Sequence, residues 1–145
     1  MTKTNHLKSR RRARELALQT MYAHEMGTDD LVLRLMDTIA TNHALNAEVR
    51  EYARKLVQKT HGSLDEIDSI LQKHTTNWDL RRMAAIDRNI LRIAVAELLI
   101  AQDDVPYKVI IDEAVEIAKT YSSDESGKFV NGIIDAIYRD FAALS

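Results

Sequence analysis

The chain has 145 residues, 46% hydrophobic and 29% charged, with a formal net charge of -2 and no cysteine. That length supports one domain with its own core, and the lack of thiols excludes a disulfide framework, a zinc-thiolate site and a thiol nucleophile while fitting a reducing compartment. No apolar run approaches the roughly 20 residues a membrane span requires, and the basic, polar start lacks the apolar stretch of a secretory signal. The expectation is a cytoplasmic protein with no membrane segment.

One proline, Pro106, and four glycines in a chain rich in Ala, Leu, Ile, Glu, Arg and Lys predict long helices. Ala13, Leu16, Ala17, Thr20 and Met21 recur at helical spacing, so a first helix is predicted from about Ser9 to Met26, stopped by Gly27. Thr28, Asp29 and Asp30 signal the next start. The apolar stripe Leu31, Val32, Leu35, Met36, Ile39 and Ala40 then predicts a second helix. After a polar joint at Asn42 and His43, the stripe resumes with Leu45, Val49, Tyr52, Ala53, Leu56 and Val57, and Gly62 ends it.

Ser63 and Glu66 have capping-box spacing and open a fourth helix carrying Leu64, Ile67, Ile70 and Leu71, which fades at Thr75, Thr76 and Asn77 before Trp78. From Asp79 a stripe through Leu80, Met83, Ile86, Ile90, Leu91, Ala94, Val95 and Leu98 forms the most apolar region, with a break placed near Ala85 to Asp87. Asp103 and Asp104 end it. Pro106 suits the first position of a sixth helix that runs to about Tyr121. Beyond the polar joint Ser122 to Ser126, residues Phe129, Val130, Ile133, Ile134, Ile137 and Phe141 define the last helix. The fold class is therefore all-α, with about seven helices. Residues 1–8 form a flexible basic arm, 9–62 a first helical bundle and 63–145 a second.

The arm stands apart in charge. Lys3, Lys8, Arg10, Arg11, Arg12 and Arg14 come with no acid among the first 14 residues, which leaves 14 basic against 22 acidic residues in the rest. A basic arm on an acidic body is the pattern of a chain with a polyanionic partner, and it is also that of a solvated, frayed terminus. Arginine suits RNA because its planar fork donates twice to one phosphate and its face stacks on unpaired bases. Tyr22, 11 residues past Arg11, returns to the same helix face, where it is either a stacking platform or a half-buried edge aromatic. Residues before Ser9 are expected to be disordered, since their charges have no internal partner.

Other chemistry lacks a constellation. The five histidines, His6, His24, His43, His61 and His74, show no metal-ligand spacing, and there is no phosphate loop, dinucleotide fingerprint or nucleophile elbow. No catalytic residue, metal site or cofactor is expected. Phe129, beside Lys128, is ambiguous, since a phenylalanine at a helix start is more often a core residue than a surface one. Gly132, beside Asn131, costs a helix interior about 1 kcal/mol relative to alanine, and close packing is the expected reason. Asp112, Glu113 and Glu116 read as a solvated face or an acidic stripe for a partner.

Several separated motifs resemble the NusB family of transcription antitermination factors: RRRARE at 10–15, ILRIA at 90–94 with Glu97-Leu98, VPYKVIIDEAVEIAK at 105–119 and SGKFVNGIID at 126–135. The stretch from Thr28 to Asn77 fits mainly by helix pattern. The resemblance implies two small antiparallel helical bundles packed side by side. It further implies binding of the boxA element of nascent ribosomal RNA with NusE, a small-subunit ribosomal protein, in an RNA polymerase antitermination complex that reads through terminators. No reaction is implied.

Matched residue by residue, the resemblance makes Arg10, Arg11, Arg12 and Arg14 RNA contacts, with Lys8 a weaker extension. Tyr22 falls at the RNA and partner surface, Lys128 and Phe129 at the RNA, and Asp87 and Glu125 at acidic positions of the partner surface. Arg81 departs from the pattern, standing where some relatives carry an acid, so that contact does not transfer. Two rival readings stay in view. One is a helical RNA-binding module associated with an RNA methyltransferase, although a chain ending at Ser145 has no room for a cofactor-binding sheet. The other is an oligomeric scaffold, since monomer and homodimer are both open.

Overall fold

A computed structural model describes residues 3–27, 31–75, 79–101 and 104–144, with side chains from residue 6. The sequence signals at Thr28 to Asp30, Thr76 to Trp78 and Asp103 lie outside the described residues. Among those described, seven α-helices and one short 3-10 turn account for the regular structure. The chain divides into two compact units, Met1–Gly62 and Ser63–Ser145.

The first unit comprises α1 (Lys3–Glu25), α2 (Val32–Asn42) and α3 (Ala47–Gly62), each packed on the other two. Their buried residues follow the stripes read from sequence: Ala13, Leu16, Ala17 and Met21 on α1, Val32, Met36 and Ala40 on α2, and Val49, Ala53, Leu56 and Val57 on α3. Buried Thr20 and Thr60 donate their hydroxyls to the carbonyls of Leu16 and Leu56 at 2.8 and 2.7 Å, so neither leaves an unmet polar group. Gly27 follows α1 at φ 103°, a conformation open to glycine without a Cβ penalty. Asn46 starts α3 by accepting from the Val49 amide at 3.0 Å.

The first helix starts at Lys3, six residues ahead of the expected Ser9, so residues 3–8 are its opening turns. Internal partners explain the difference. His6 Nδ1 lies 3.1 Å from Glu48 Oε1 on α3, and Arg12 Nη1 lies 3.6 Å from Glu15 Oε1. Good helix formers from Leu7 to Arg14 then propagate the helix without a breaker.

In the second unit, α4 (Leu64–Lys73) leads through the turn Leu80–Arg82 to α5 (Ala85–Ala101), followed by α6 (Tyr107–Tyr121) and α7 (Asp124–Ala143). Every residue of α5 from Asn89 to Glu97 is buried, because α4, α6 and α7 all pack against it. Arg92 in this run is held by Asp68 of α4, with Nε–Oδ1 and Nη2–Oδ2 both at 2.8 Å, and donates to Asn89 Oδ1 at 3.2 Å. Tyr107 and Tyr138 stack at 3.7 Å with a 10° interplanar angle, joining α6 to α7. No helix among the described residues is long and apolar enough to cross a membrane.

Four local expectations change. The break in the fifth segment falls at Met83 and Ala84, ahead of α5. Pro106 is the N-cap of α6, one position before the first helical residue. Ser63 occupies the N-cap of α4, but its hydroxyl makes no cap hydrogen bond: ψ of 29° departs from the extended conformation that carries a capping side chain over the helix amides. Gly132 is not closely packed, since a Cβ there would meet nothing within 4 Å. Gly132→Ala is therefore expected to stabilise the protein by about 0.5–1 kcal/mol through helix propensity and a less flexible unfolded chain. Urea denaturation checks this; a loss of stability would show that the glycine has a packing role after all.

Candidate nucleic-acid interface

Helical geometry divides the arginines of α1 between two faces. His6, Arg10 and Arg14 recur every fourth residue and meet α3, where Glu48 and Tyr52 repeat the same spacing. The Arg10 guanidinium carbon lies 3.8 Å from the centre of the Tyr52 ring, and that of Arg14 lies 5.9 Å from it. Arg14 is only 3% exposed, which places it behind the solvent-facing stripe. That stripe consists of exposed Lys8 and Arg11 and half-buried Arg12, with Tyr22 further along the helix at 39% exposure. Composition showed the charge; only the packing shows which cations face water.

The second unit contains a cavity of about 620 Å³. Asp79, Arg82, Met83 and Ala84 form one wall, Asp87 of α5 another, and Ser123, Glu125, Ser126 and Phe129 at the start of α7 the third. Three residues matched by resemblance, Asp87, Glu125 and Phe129, thus converge across 42 positions of sequence. Lys128 is exposed and is not part of the lining. Ser126 donates to Asp87 Oδ2 at 3.2 Å, while Oδ1 of that carboxylate is buried with no hydrogen-bond partner among the described residues. Ser123 caps α7 by accepting from the Ser126 amide at 3.0 Å, which fixes the serine that meets Asp87.

The wall at 79–84 is held from behind. Gln72 Oε1 accepts from the Leu80 amide at 3.1 Å, and Arg88 Nη1 donates to the carbonyls of Leu80 and Met83 at 3.1 and 2.8 Å. Asp79 accepts from the Arg81 amide at 3.0 Å. That bond, and then the Arg81 guanidinium, hold the Asp79 carboxyl below its ordinary pKa, so the cap persists through mild acid and is lost only as pH falls through that lowered value. The Arg81 side chain is 91% exposed and 3.4 Å from Asp79, a solvated cation at the rim of this wall. Arg88→Ala is expected to cost about 1.5–3 kcal/mol, as for hydrogen bonds from a charged donor. Faster amide exchange at Leu80 to Met83 is the local readout; unchanged exchange there would remove Arg88 from this role.

An aromatic side chain beside carboxylate acceptors suits an unpaired base, which offers a π-face and N–H donors, whereas the cationic stripe of α1 suits phosphate. Sequence reasoning missed Asp79, Arg82, Met83, Ala84, Ser123 and Ser126 in the cavity and Tyr52 behind Arg10. The prior signals were the cap candidates in the joint at 122–126, the stripe from Asp79 through Met83 and the helical register of Tyr52. Among the described residues, no group of three or more His, Asp or Glu side chains is placed to hold a metal ion.

Residues 11–139 match the NusB family. The chain is 44% identical over 132 residues to the transcription antitermination protein NusB of Chloroherpeton thalassium, covering 91% of this chain and 62% of that protein. It is also 44% identical over 134 residues to the NusB of Salinibacter ruber, covering 92% of this chain and 83% of that one. A solved structure of antitermination factors NusB and NusE in complex with dsRNA superposes with a TM-score of 0.81 at 31% identity, covering 92% of this chain and 98% of that one.

Proposed function

Because this chain belongs to the NusB family, we propose that it is a transcription antitermination factor that binds boxA-type RNA together with NusE. It acts in the cytoplasm on RNA emerging from RNA polymerase and supports read-through in ribosomal RNA operons. Lys8, Arg11 and Arg12 hold phosphates, and Arg10 contributes from the edge of the same helix. Tyr22 and Phe129 offer ring faces to bases, Asp87 and Glu125 accept from base or partner donors, and Lys128 adds a cation beside Phe129. Arg14, at 3% exposure, supports the stripe from behind.

The observation that carries this reading is the outward stripe of α1, basic at Lys8, Arg11 and Arg12 and aromatic at Tyr22. The solved relative bound to NusE and dsRNA supports both partner classes. Labelled boxA RNA and a scrambled control should be titrated with this protein, with and without NusE, at two salt concentrations. The expected result is a preference for boxA, strengthened by NusE and weakened by salt. RNA binding that is absent, or indifferent to sequence and partner, would overturn the proposal.

A further inference from the structure

We propose that Tyr52 is a positioning residue for RNA binding, holding the Arg10 guanidinium ready for a phosphate. The inference rests on the RNA-binding reading above. Tyr52 belongs to α3 and is half-buried, so it is not itself part of the basic stripe. Its ring lies 3.8 Å from the Arg10 guanidinium carbon, and the Arg14 guanidinium carbon lies 5.9 Å from the same ring.

A ring and a carboxylate restrain arginine differently. A carboxylate occupies N–H donors and cancels the charge, whereas a ring engages the face of the guanidinium and leaves its in-plane donors and its full charge available. The acid one turn before Tyr52, Glu48, is engaged by His6 at 3.1 Å, so the partner that Arg10 has on α3 is aromatic. A loose arginine gives up side-chain freedom when it grips a phosphate; one already stacked gives up less and binds more tightly for that reason. Arg14, buried next to it, has its guanidinium carbon 5.9 Å from the same ring. Tyr52 therefore orients an RNA-facing cation without neutralising it.

The test compares the full-length wild type with Tyr52→Phe, Tyr52→Leu, Arg10→Lys, Arg10→Ala and the double variant Tyr52→Leu/Arg10→Ala, titrating boxA RNA across a salt series. Tyr52→Phe, which keeps the ring face, is expected to bind like wild type. Tyr52→Leu is expected to bind about 5-fold more weakly, with a log–log salt slope shallower by about 0.7, the loss of one single-strand phosphate contact. Arg10→Lys keeps the charge but cannot lay a planar fork on the ring, and is expected to keep the salt slope of the wild type while binding more weakly than it. The double variant should be no weaker than Arg10→Ala alone, because both changes remove one contact.

Wild-type affinity and slope in Tyr52→Leu, equal losses in the Phe and Leu variants, or additive losses in the double variant would overturn the proposal. Arg10→Lys binding like wild type would do the same even if Tyr52→Leu does not fold. Failure of the wild type to bind boxA RNA removes the RNA reading and this inference together. Wild-type binding that is insensitive to Tyr52 removes only the inference.

Discussion

Asp68→Ala should lower stability by about 3 kcal/mol, because it removes the carboxylate that meets the largely buried Arg92 guanidinium at two points inside the second unit. Arg92 meets Asp68 through two 2.8 Å contacts, and its side chain is 10% exposed against 29% for Asp68. Asn89 Oδ1, at 3.2 Å, satisfies one Arg92 nitrogen but supplies no countercharge. The partial exposure of Asp68 admits water after truncation, which sets the expectation at the lower end of the range for broken buried pairs. A loss of that size moves the melting midpoint by about 10 °C in a chain of this length.

Arg139 and Asp135 provide the control. Their N–O distance is also 2.8 Å, but the side chains are 77% and 35% exposed. Asp135→Ala should therefore cost under about 0.5 kcal/mol, as for exposed pairs one helical turn apart. Urea denaturation of both variants at neutral pH makes the comparison. Equal losses would mean that burial does not set the strength of these pairs, and the account of Arg92 would fall.

The largest functional effect is expected from Lys8→Ala, Arg11→Ala and Arg12→Ala combined. If each cation neutralises one phosphate of a single strand, the log–log salt slope becomes shallower by about 2, and affinity near 0.15 M salt falls about 50-fold. All three side chains lie on the outward side of α1, so the fold should survive with little change. Arg34→Ala, Lys55→Ala and Lys73→Ala combined remove the same charge from exposed positions on other helices. Matching losses in the two triple variants would reduce the interaction to net charge and leave α1 no special part in it.

The helices were legible because local physics sets them. Stripes such as Leu31 to Ala40 and Phe129 to Phe141 state their period directly, and the stop at Gly27 follows from the left-handed backbone that glycine adopts without penalty. Reading failed where a distant group intervenes. The opening turns of α1 were taken for a frayed arm, since His6 gives no hint that Glu48, 42 positions away, will meet it. Ser63 has the residues of a capping box without its conformation, because α3 passes into α4 across that single residue.

The candidate site divides in the same way. A 3.6-residue period states that Arg10 and Arg14 share a face, and that Arg11 and Tyr22 share another, whatever the rest of the chain does. Which face meets α3 depends on where Tyr52 and Glu48 arrive, and that is settled by the packing of three helices. Asp87, Glu125 and Phe129 were recognised one by one through resemblance; their meeting in one cavity requires α5 and α7 to pack and Arg88 to hold the wall between them. By itself the sequence determined helix periods, apolar stripes and the basic patch, all of which are properties of neighbours along the chain. Tertiary structure alone decided which cations stay in water, which arginine is paired in the interior and which carboxylate keeps an unfilled acceptor, because desolvation and pairing depend on groups that come close only once the helices have packed.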